Sequence, residues 1–326
     1  MKNILVSGGA GFIGSSLVAI LLHKGYNVTV VDNLSSGKIE NLDSFFSSDR
    51  FDFIQMDLLE IEGLSKIIER CDVIFHLAAS ADVRIGHVNT EIDYLNNIVA
   101  TRNILECMRR SNKCKKIIFT SSSVVYGDAS VIPTPEYYGP LKPISLYGGS
   151  KLACEALISG YVSIFGLTGI IFRVANVVGP SSNHGVIVDF VRKLGASDGK
   201  FLNIFGDGTQ NKSYLYIDDL IEALLIGMGD LTSSLEIFNV GSEDQINVNS
   251  IARIICHEFG LEKVNFRYLT EWEDGRGWPG DVKNMLLSVD KLKKHGWKIN
   301  YSSAESVSLT IKKVTEYNNK TIPRRS

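Results

Sequence analysis

Four glycines directly behind a short apolar run constrain the fold of this chain more than any other sequence feature. Residues 3–7 are typical of a buried strand, and Gly8, Gly9, Gly11 and Gly14 lead from it into a helical pattern of apolar residues. Glycine permits a tight turn, a close approach of the backbone to a pyrophosphate and close packing of helix against strand. The exposed N–H groups of a helix N-terminus bind an anion. The segment therefore predicts a β-α-β unit that binds a dinucleotide.

Further apolar runs alternate with helical stretches over the first half of the chain. They occupy residues 27–32, 51–57, 72–78, 116–121 and 169–175. Such alternation is typical of parallel strands joined by helical crossovers. Beyond Asn176 the alternation breaks into a loop rich in Gly, Ser and Pro, and one later strand-like run covers residues 237–241.

These patterns predict an α/β fold with a Rossmann-type doubly wound parallel sheet and a smaller mixed α/β lobe for the substrate. We assign residues 1–175 and about 212–242 to the dinucleotide-binding domain, and about 176–211 and 243–326 to the substrate lobe.

Composition argues against several other classes of protein. Of 326 residues, 44% are hydrophobic and 21% charged, as in ordinary globular proteins, and the net charge of -2 gives no overall attraction to nucleic acid or to an anionic membrane. No apolar run approaches the ~20 residues that span a bilayer, and the first residues lack the pattern of a secretory signal. Five cysteines without a CxxC pair indicate neither a disulfide framework nor a metal site. We expect a soluble cytoplasmic protein.

Asp32 indicates which dinucleotide is bound. It ends the second strand-like run, 18 positions beyond Gly14, where a carboxylate can accept hydrogen bonds from the adenosine ribose and repel a 2'-phosphate. Asn33 and Leu34 follow it without a neighbouring Arg, so NAD is favoured over NADP. The alternative is that Asp32 only caps the end of its strand.

Tyr147 and Lys151 lie four positions apart, on one face of a predicted helix. A free tyrosine titrates near pH ~10, so a tyrosine base at neutral pH needs nearby positive charge, here from Lys151 and the oxidised nicotinamide. The same spacing also occurs on ordinary helix surfaces, but behind a dinucleotide-binding unit it predicts a catalytic pair. Residues 120–123 form a hydroxyl cluster at the end of the fifth strand, at the edge where open α/β sheets bind ligands. One of its serines is expected to hold or relay a substrate proton, unless the cluster only makes strand-end hydrogen bonds.

Together these motifs resemble the extended short-chain dehydrogenase/reductase family, and within it most closely the UDP-glucose 4-epimerases. The matching segments cover nearly the whole chain: residues 6–14, 32–34, 76–79, 120–127, Tyr147 with Lys151, 173–176, 206–210, 214–219 and 279–281. The resemblance implies tightly held NAD, a UDP-sugar substrate and Ser122, four residues before Tyr126, as the catalytic serine.

The motifs and the resemblance assign residues to each ligand. Residues expected at NAD are Gly8, Gly11, Phe12, Ile13, Gly14, Asp32, Asn33, Asp57, Leu58, Ala78, Ala79, Asn97, Tyr147 and Lys151. Residues expected at the UDP-sugar are Ser122, Tyr147, Asn176, Gly185, Val186, Ile187, Lys212, Arg276, Asp281 and Met285. Of these, the glycine loop, Asp32 and the Tyr147/Lys151 pair follow from their own motifs, and the others are implied by the resemblance.

Three positions depart from the pattern of many relatives or leave the sugar open. Lys212 stands where many have Arg, which keeps a positive charge for phosphate but loses the planar guanidinium. Trp278 replaces an Arg three residues before Asp281, and the sequence leaves open whether Arg276 reaches the phosphate instead. Met285 lies at a position that limits sugar size in related epimerases, and its flexible side chain does not decide whether N-acetylated sugars are accepted.

The resemblance implies interconversion of UDP-galactose and UDP-glucose through a 4-keto intermediate, with NAD regenerated in each cycle. Sugar 4,6-dehydratases of the family carry Asp-Glu directly after the catalytic Ser/Thr; this chain has Ser123 and Val124, which cannot supply the second proton transfer. A UDP-glucuronate decarboxylase, a 4-reductase and a non-catalytic dinucleotide sensor remain alternatives. Relatives commonly form dimers through four helices, so we expect a homodimer through residues 91–110 and 147–164, although their apolar residues could equally be core.

Overall fold

A seven-stranded sheet forms the centre of the first part of the chain. In the computed structural model, which describes residues 2–80, 84, 86 and 88–318, its order is β11-β6-β5-β4-β1-β2-β3. The strands are β1 (Asn3–Ser7), β2 (Asn27–Asp32), β3 (Phe51–Gln55), β4 (Val73–His76), β5 (Lys116–Ser122), β6 (Thr168–Val174) and β11 (Leu235–Val240). Neighbours from β3 through β5 are paired in parallel. The order reverses between β1 and β4, which is the switch point where open α/β sheets bind ligands, and the predicted doubly wound fold is confirmed.

Helices pack against this sheet. They are α1 (Phe12–His23), α2 (Ile61–Ile68), α3 (Glu91–Asp93), α4 (Ala100–Arg110) and α5 (Leu146–Phe165). The segment Tyr94–Val99 between α3 and α4 is π-helical, so residues 91–110 form one helix with a wider turn. The core between helices and strands includes Leu5, Ile74, Ile104, Phe119 and Ile158.

The second part of the chain has a separate core and three small sheets. These pair β7 (Asn176–Val178) with β10 (Tyr214–Tyr216), β8 (Phe201–Phe205) with β13 (Asn265–Leu269), and β9 (Asn211–Lys212) with both β12 (Ile246–Asn247) and β14 (Asn284–Met285). The remaining helices are α6 (Val186–Ala196), α7 (Ile217–Ile226), α8 (Val248–Glu258), α9 (Asp290–Lys294) and α10 (Ser303–Asn318). The predicted smaller mixed α/β lobe is thus confirmed.

The chain divides into two compact units at boundaries that differ from the predicted ones. Unit 1 comprises Met1–Val125, Leu146–Arg173 and Ile221–Phe238, and unit 2 comprises Tyr126–Ser145, Val174–Leu220 and Asn239–Ser326. Unit 2 includes residues 126–145, 174–175, 212–220 and 239–242, which the sequence patterns assign to the dinucleotide-binding domain. Their partners are distant in sequence: the Thr134 N–H donates to the Leu286 carbonyl at 2.8 Å, and β10 pairs with β7.

Within the described ranges, no helix is long and apolar enough to cross a membrane. The same residues contain no group of three or more His, Cys, Asp or Glu side chains that could hold a metal ion. All five cysteines are free and buried.

Candidate active site

The glycine loop between β1 and α1 combines two kinds of glycine. Gly8 has a positive φ of 73°, and a Cβ there would lie 2.6 Å from the Ala78 nitrogen. A Cβ on Gly14 would lie 2.1 Å from the Gly8 carbonyl oxygen. On Gly11 it would meet, among the residues that the structure describes, only that oxygen, at 3.2 Å. Gly8 and Gly14 are therefore required by backbone packing, whereas Gly11 leaves open space at the start of α1.

That open space fits a pyrophosphate. Gly11 is the N-cap of α1 and supplies no side-chain cap, so the first N–H groups of the helix, from Phe12 to Gly14, are available to an anion. Ala78, two residues beyond β4, borders the start of the loop, because a Cβ on Gly8 would lie 2.6 Å from its nitrogen. The loop therefore has the shape and the donors that a dinucleotide needs.

Asp32 holds the loop in shape. Its buried carboxylate accepts the Ala10 N–H at 3.0 Å and the Leu34 N–H at 2.8 Å. Burial raises the pKa of this carboxyl group, and the two N–H donors oppose that rise. Asp32 therefore caps the end of its strand, and its hydrogen bond to the cofactor ribose stays a prediction.

Asn33, Asp57 and Leu58, which are also expected at NAD, follow the ends of β2 and β3. The Asn33 side-chain amide donates to Asp57 at 2.9 Å, and the other Asp57 oxygen accepts the Leu59 N–H at 2.9 Å. Leu58 is buried in the core of unit 1, and its carbonyl accepts the Asn103 amide at 3.1 Å. Asn33 and Asp57 thus meet at one edge of the sheet, while Leu58 mainly packs.

Tyr147, Lys151 and Ser122 meet at the carboxyl end of β5. Tyr147 lies in the first turn of α5 and is hydrogen-bonded to Ser122, the last residue of β5. The Lys151 ammonium donates to the Thr120 carbonyl at 2.9 Å and lies 5.8 Å from the centre of the Tyr147 ring. The structure therefore brings the three predicted catalytic residues together.

The electrostatics of this group favour a neutral tyrosine in the protein alone. Burial, reinforced by the Asp93 carboxylate, raises the pKa of Tyr147, and its hydrogen bond with Ser122 opposes the rise. Burial also lowers the pKa of Lys151 to about 8, which still leaves it mostly protonated at neutral pH. To act as a base at neutral pH, Tyr147 would need added positive charge, such as that of an oxidised nicotinamide ring.

Asn97 connects the π-helical segment to helix α5. Its amide nitrogen donates to the Ser150 hydroxyl at 2.8 Å, and its oxygen accepts the Ser80 N–H at 2.9 Å. Ser150 lies directly before Lys151 on α5. The wider turn at Tyr94–Val99 thus places Asn97 beside the turn of α5 that carries Tyr147 and Lys151, and its contact with NAD stays a prediction.

Two buried titratable groups near the site were not predicted as site residues. His76 is fully buried between the Ser7 hydroxyl at 2.8 Å and the Thr101 hydroxyl at 2.9 Å, and burial together with Lys151 lowers its pKa to about 3. Asp93 is also buried, and its Oδ2 lacks a hydrogen-bond partner among the described residues. His76 begins the segment 76–79 that carries part of the family resemblance, but no role follows for it or for Asp93 from sequence, and only their surroundings in the fold point to them.

In unit 2, three of the residues expected at the UDP-sugar lie together. The Lys212 ammonium pairs with Asp281 Oδ1 at 2.5 Å, and the Gly277 N–H donates to the other oxygen at 3.3 Å. Met285 on β14 is the strand partner of Lys212 on β9 and is buried. Lys212, Asp281 and Met285 thus form one cluster although they are distant in sequence.

Arg276 is engaged by carboxylates. Its guanidinium donates to Asp128 Oδ2 at 2.7 Å, to the Asp281 carbonyl at 2.8 Å and to Asp274. The hydrogen bonds to Asp128 and Asp274 raise the pKa of the guanidinium. Arg276, Asp128 and Asp274, together with Trp278, border a cavity of about 630 Å³. A phosphate contact by Arg276 would have to compete with two carboxylates.

The remaining residues expected at the substrate are placed less uniformly. The Asn176 amide donates to the Ser213 carbonyl at 3.2 Å. Gly185, with a positive φ of 95°, is the N-cap of α6, and Val186 begins that helix. Ile187 is buried in the core of unit 2, so its main contacts are with protein.

Comparison with known proteins identifies the family of this chain. Residues 4–241 match the NAD dependent epimerase/dehydratase family. The chain is similar to UDP-glucose 4-epimerase of Mycolicibacterium smegmatis, with 31% identity over 313 residues that cover 94% of this chain and 96% of the relative. A crystal structure of UDP-galactose 4-epimerase is also similar, with a TM-score of 0.85 and 39% identity over 97% of this chain and 99% of the other.

A further similar structure contains both ligands. UDP-glucuronic acid 4-epimerase from Bacillus cereus, in complex with UDP-glucuronic acid and NAD, has a TM-score of 0.86 and 28% identity over 97% of this chain and 99% of the other. The family match and the relatives agree on the cofactor and on nucleotide sugars, whereas the sugar differs among the relatives. This chain is therefore an enzyme of the NAD-dependent epimerase/dehydratase family and uses NAD as its cofactor.

Proposed function

We propose that this enzyme inverts C4 of a UDP-sugar and interconverts UDP-galactose and UDP-glucose. The observation that carries the proposal is the group at the end of β5, where the Lys151 ammonium donates to the Thr120 carbonyl at 2.9 Å and lies 5.8 Å from the centre of the Tyr147 ring, with Ser122 beside Tyr147. Such a group can remove the proton of a secondary hydroxyl while hydride leaves the same carbon. The similar UDP-glucose and UDP-galactose 4-epimerases support C4 as that carbon.

The roles of the three residues follow from their contacts. Tyr147 accepts the proton of the C4 hydroxyl, directly or through Ser122, and Lys151 stabilises the phenolate by its charge. NAD, when bound, accepts hydride from C4 and returns it. A 4-ketose that turns over before hydride returns is inverted at C4, and Tyr147 then gives its proton back to the new hydroxyl. The cycle leaves no net oxidation.

The binding roles extend this proposal. In unit 1, we assign the cofactor pyrophosphate to the backbone of Gly8, Gly11 and the first turn of α1, and the adenosine ribose to Asp32. In unit 2, the cluster of Lys212, Asp281 and Met285 is assigned to the UDP-sugar. Its partly exposed ammonium, Lys212, suits a diphosphate.

We also infer a homodimer through α3, the π-helical segment, α4 and α5. These helices expose large apolar side chains: Tyr94 is 56% exposed and Ile164 73% exposed, with Leu95 and Phe165 beside them in the chain. Exposed apolar groups of this size favour a protein partner. Light scattering of the purified protein checks the inference: the mass of one chain, 36.0 kDa, would contradict it.

Purified protein incubated with UDP-galactose and no added cofactor tests the proposed reaction. We expect UDP-glucose to appear in the NMR spectrum. UDP-N-acetylgalactosamine and UDP-glucuronic acid, run in parallel, rank the sugars. Tyr147→Phe is the matched control, because it removes one hydroxyl; it should retain NAD and lose turnover.

Three outcomes would contradict C4 inversion. Stoichiometric oxidation of added reduced cofactor indicates a 4-reductase, and release of carbon dioxide from UDP-glucuronic acid indicates a decarboxylase. Absence of any reaction after NAD is supplied favours a dinucleotide-binding sensor.

A further inference from the structure

The catalytic helix α5 is tied to the end of β5 at two points that belong to the proposed mechanism. Tyr147 is hydrogen-bonded to Ser122, and the Lys151 ammonium donates to the Thr120 carbonyl at 2.9 Å. Tyr147 and Lys151 are one helical turn apart, and Thr120 and Ser122 lie on either side of Ser121 in the strand. The contacts therefore depend on one register between helix and strand.

The residue between them in β5 makes a third bond of the same kind. The Ser121 hydroxyl donates to Glu155 Oε1 at 2.5 Å, and Glu155 lies one turn beyond Lys151 on α5. Strand residues 120, 121 and 122 are thus each bound by a helix residue, at successive turns of α5. The proposed reaction uses the first two helix residues but not Glu155.

A third element holds Glu155 in place. Arg173 near the end of β6 donates its Nη2 to Glu155 Oε2 at 2.7 Å, and its Nε lies 3.1 and 3.2 Å from the two oxygens. The side chains are only 4% and 5% exposed. A fork-to-fork pair of this kind has a directional geometry, so it fixes the position of Glu155 relative to β6.

Apolar packing alone would not set this register. Cys154 and Ile158 of α5 pack in the core with Ile117 and Ile171 of the sheet, and such contacts are non-directional. They hold the helix against the sheet but tolerate small shifts along it. A shift of a few tenths of an ångström would lengthen the hydrogen bond between Tyr147 and Ser122.

We propose that Arg173, Glu155 and Ser121 are positioning residues that hold α5 in register with β5, and thereby set the contact between Ser122 and Tyr147. It rests on the proposed function at one point, because it assumes that the contact between Ser122 and Tyr147 takes part in catalysis.

Ser121→Ala tests the proposal, because it removes the bond to β5 and leaves Glu155 paired with Arg173. Ser123→Ala is the matched control: it removes another buried serine hydroxyl of the same segment. We expect Ser121→Ala to lower kcat for the UDP-sugar about tenfold, which corresponds to about 1.4 kcal/mol, with KM unchanged. Ser121→Thr, which keeps the hydroxyl, should restore most of kcat. A kcat equal to that of Ser123→Ala would overturn the proposal.

A second measurement does not depend on turnover. Ultraviolet difference titration of the NAD-loaded protein against Tyr147→Phe reports the ionisation of Tyr147. Ser121→Ala should move this ionisation to higher pH, because a longer bond to Ser122 stabilises the phenolate less; Ser123→Ala should not. If no UDP-sugar reacts but the titration shifts, the proposed function fails and the positioning role stands. A titration that does not shift in Ser121→Ala overturns the positioning role, whichever sugar is turned over.

Discussion

Alanine substitutions at Gly14 and Gly11 should separate the two roles of the glycine loop. In Gly14→Ala the new Cβ would lie 2.1 Å from the Gly8 oxygen and 2.6 Å from the Gly9 Cα, both backbone atoms, so α1 must move away from β1. Overpacking of this severity costs about 3 kcal/mol, and the helix preference of Ala over Gly returns about 1. We therefore expect a net loss of about 2 kcal/mol in the free energy of unfolding.

Gly11→Ala should behave differently. Gly11 has φ -78° and ψ 177°, which Ala adopts freely, and its Cβ would meet only the Gly8 oxygen at 3.2 Å. The stability should fall by about 0.5 kcal/mol, the usual difference between Gly and Ala at an N-cap. The methyl group would nevertheless occupy the space assigned to the pyrophosphate. Losing one or two charge-assisted hydrogen bonds would weaken NAD binding about 100-fold, or about 2.8 kcal/mol.

Urea denaturation of the cofactor-free variants, followed by circular dichroism, measures the stability, and calorimetric titration with NAD measures the affinity. The reasoning is refuted if Gly11→Ala binds NAD as tightly as the wild type. It is equally refuted if Gly11→Ala is as unstable as Gly14→Ala, because the two glycines would then have the same packing role.

Three further predictions concern charges in unit 1. Burial lowers the pKa of Lys151 from 10.5 to about 8, so the folded state binds this proton less readily than the unfolded state. The stability that is present above pH 10.5 therefore decreases by about 3 kcal/mol as the pH falls through 8. Lys151→Met should therefore be more stable than the wild type at pH 7, by a margin that shrinks toward pH 10; a constant margin in urea denaturation contradicts this. Asp32→Asn should raise the affinity for NADP relative to NAD, because it removes the charge that repels a 2'-phosphate, and an unchanged ratio in calorimetric titration argues against contact with the ribose. Glu155→Met should lower the free energy of unfolding by about 3–5 kcal/mol, because it leaves the buried Arg173 charge unpaired. The double variant Glu155→Met with Arg173→Met should recover most of that loss. Equal losses for the two variants in urea denaturation would show that the unpaired charge is not the cause.

Local sequence was sufficient for the sheet and the glycine loop. The strands at residues 3–7 and 27–32 have the bounds expected from their apolar runs, and Tyr147 and Lys151 lie on one helix as their spacing predicts. These features depend on hydrophobic periodicity and on the geometry of a few consecutive residues. Strand ends were less well predicted: the run at 51–57 ends as a strand at Gln55, since the end depends on the pairing of neighbouring strands.

The sequence by itself therefore determined the α/β class, the dinucleotide loop and the spacing of the catalytic pair, because each is encoded within one or two turns or strands. Only the tertiary structure decided that residues 126–145 join unit 2, that Arg276 faces Asp128 and Asp274, and that Arg173 pairs with Glu155 behind Ser121. Arg173 and Glu155 are 18 positions apart, and Arg276 and Asp128 are 148 apart. No local pattern specifies which of the distant charges each arginine will meet. Burial and pairing of charges are properties of the folded chain, and they set the environment in which Tyr147 and Lys151 work.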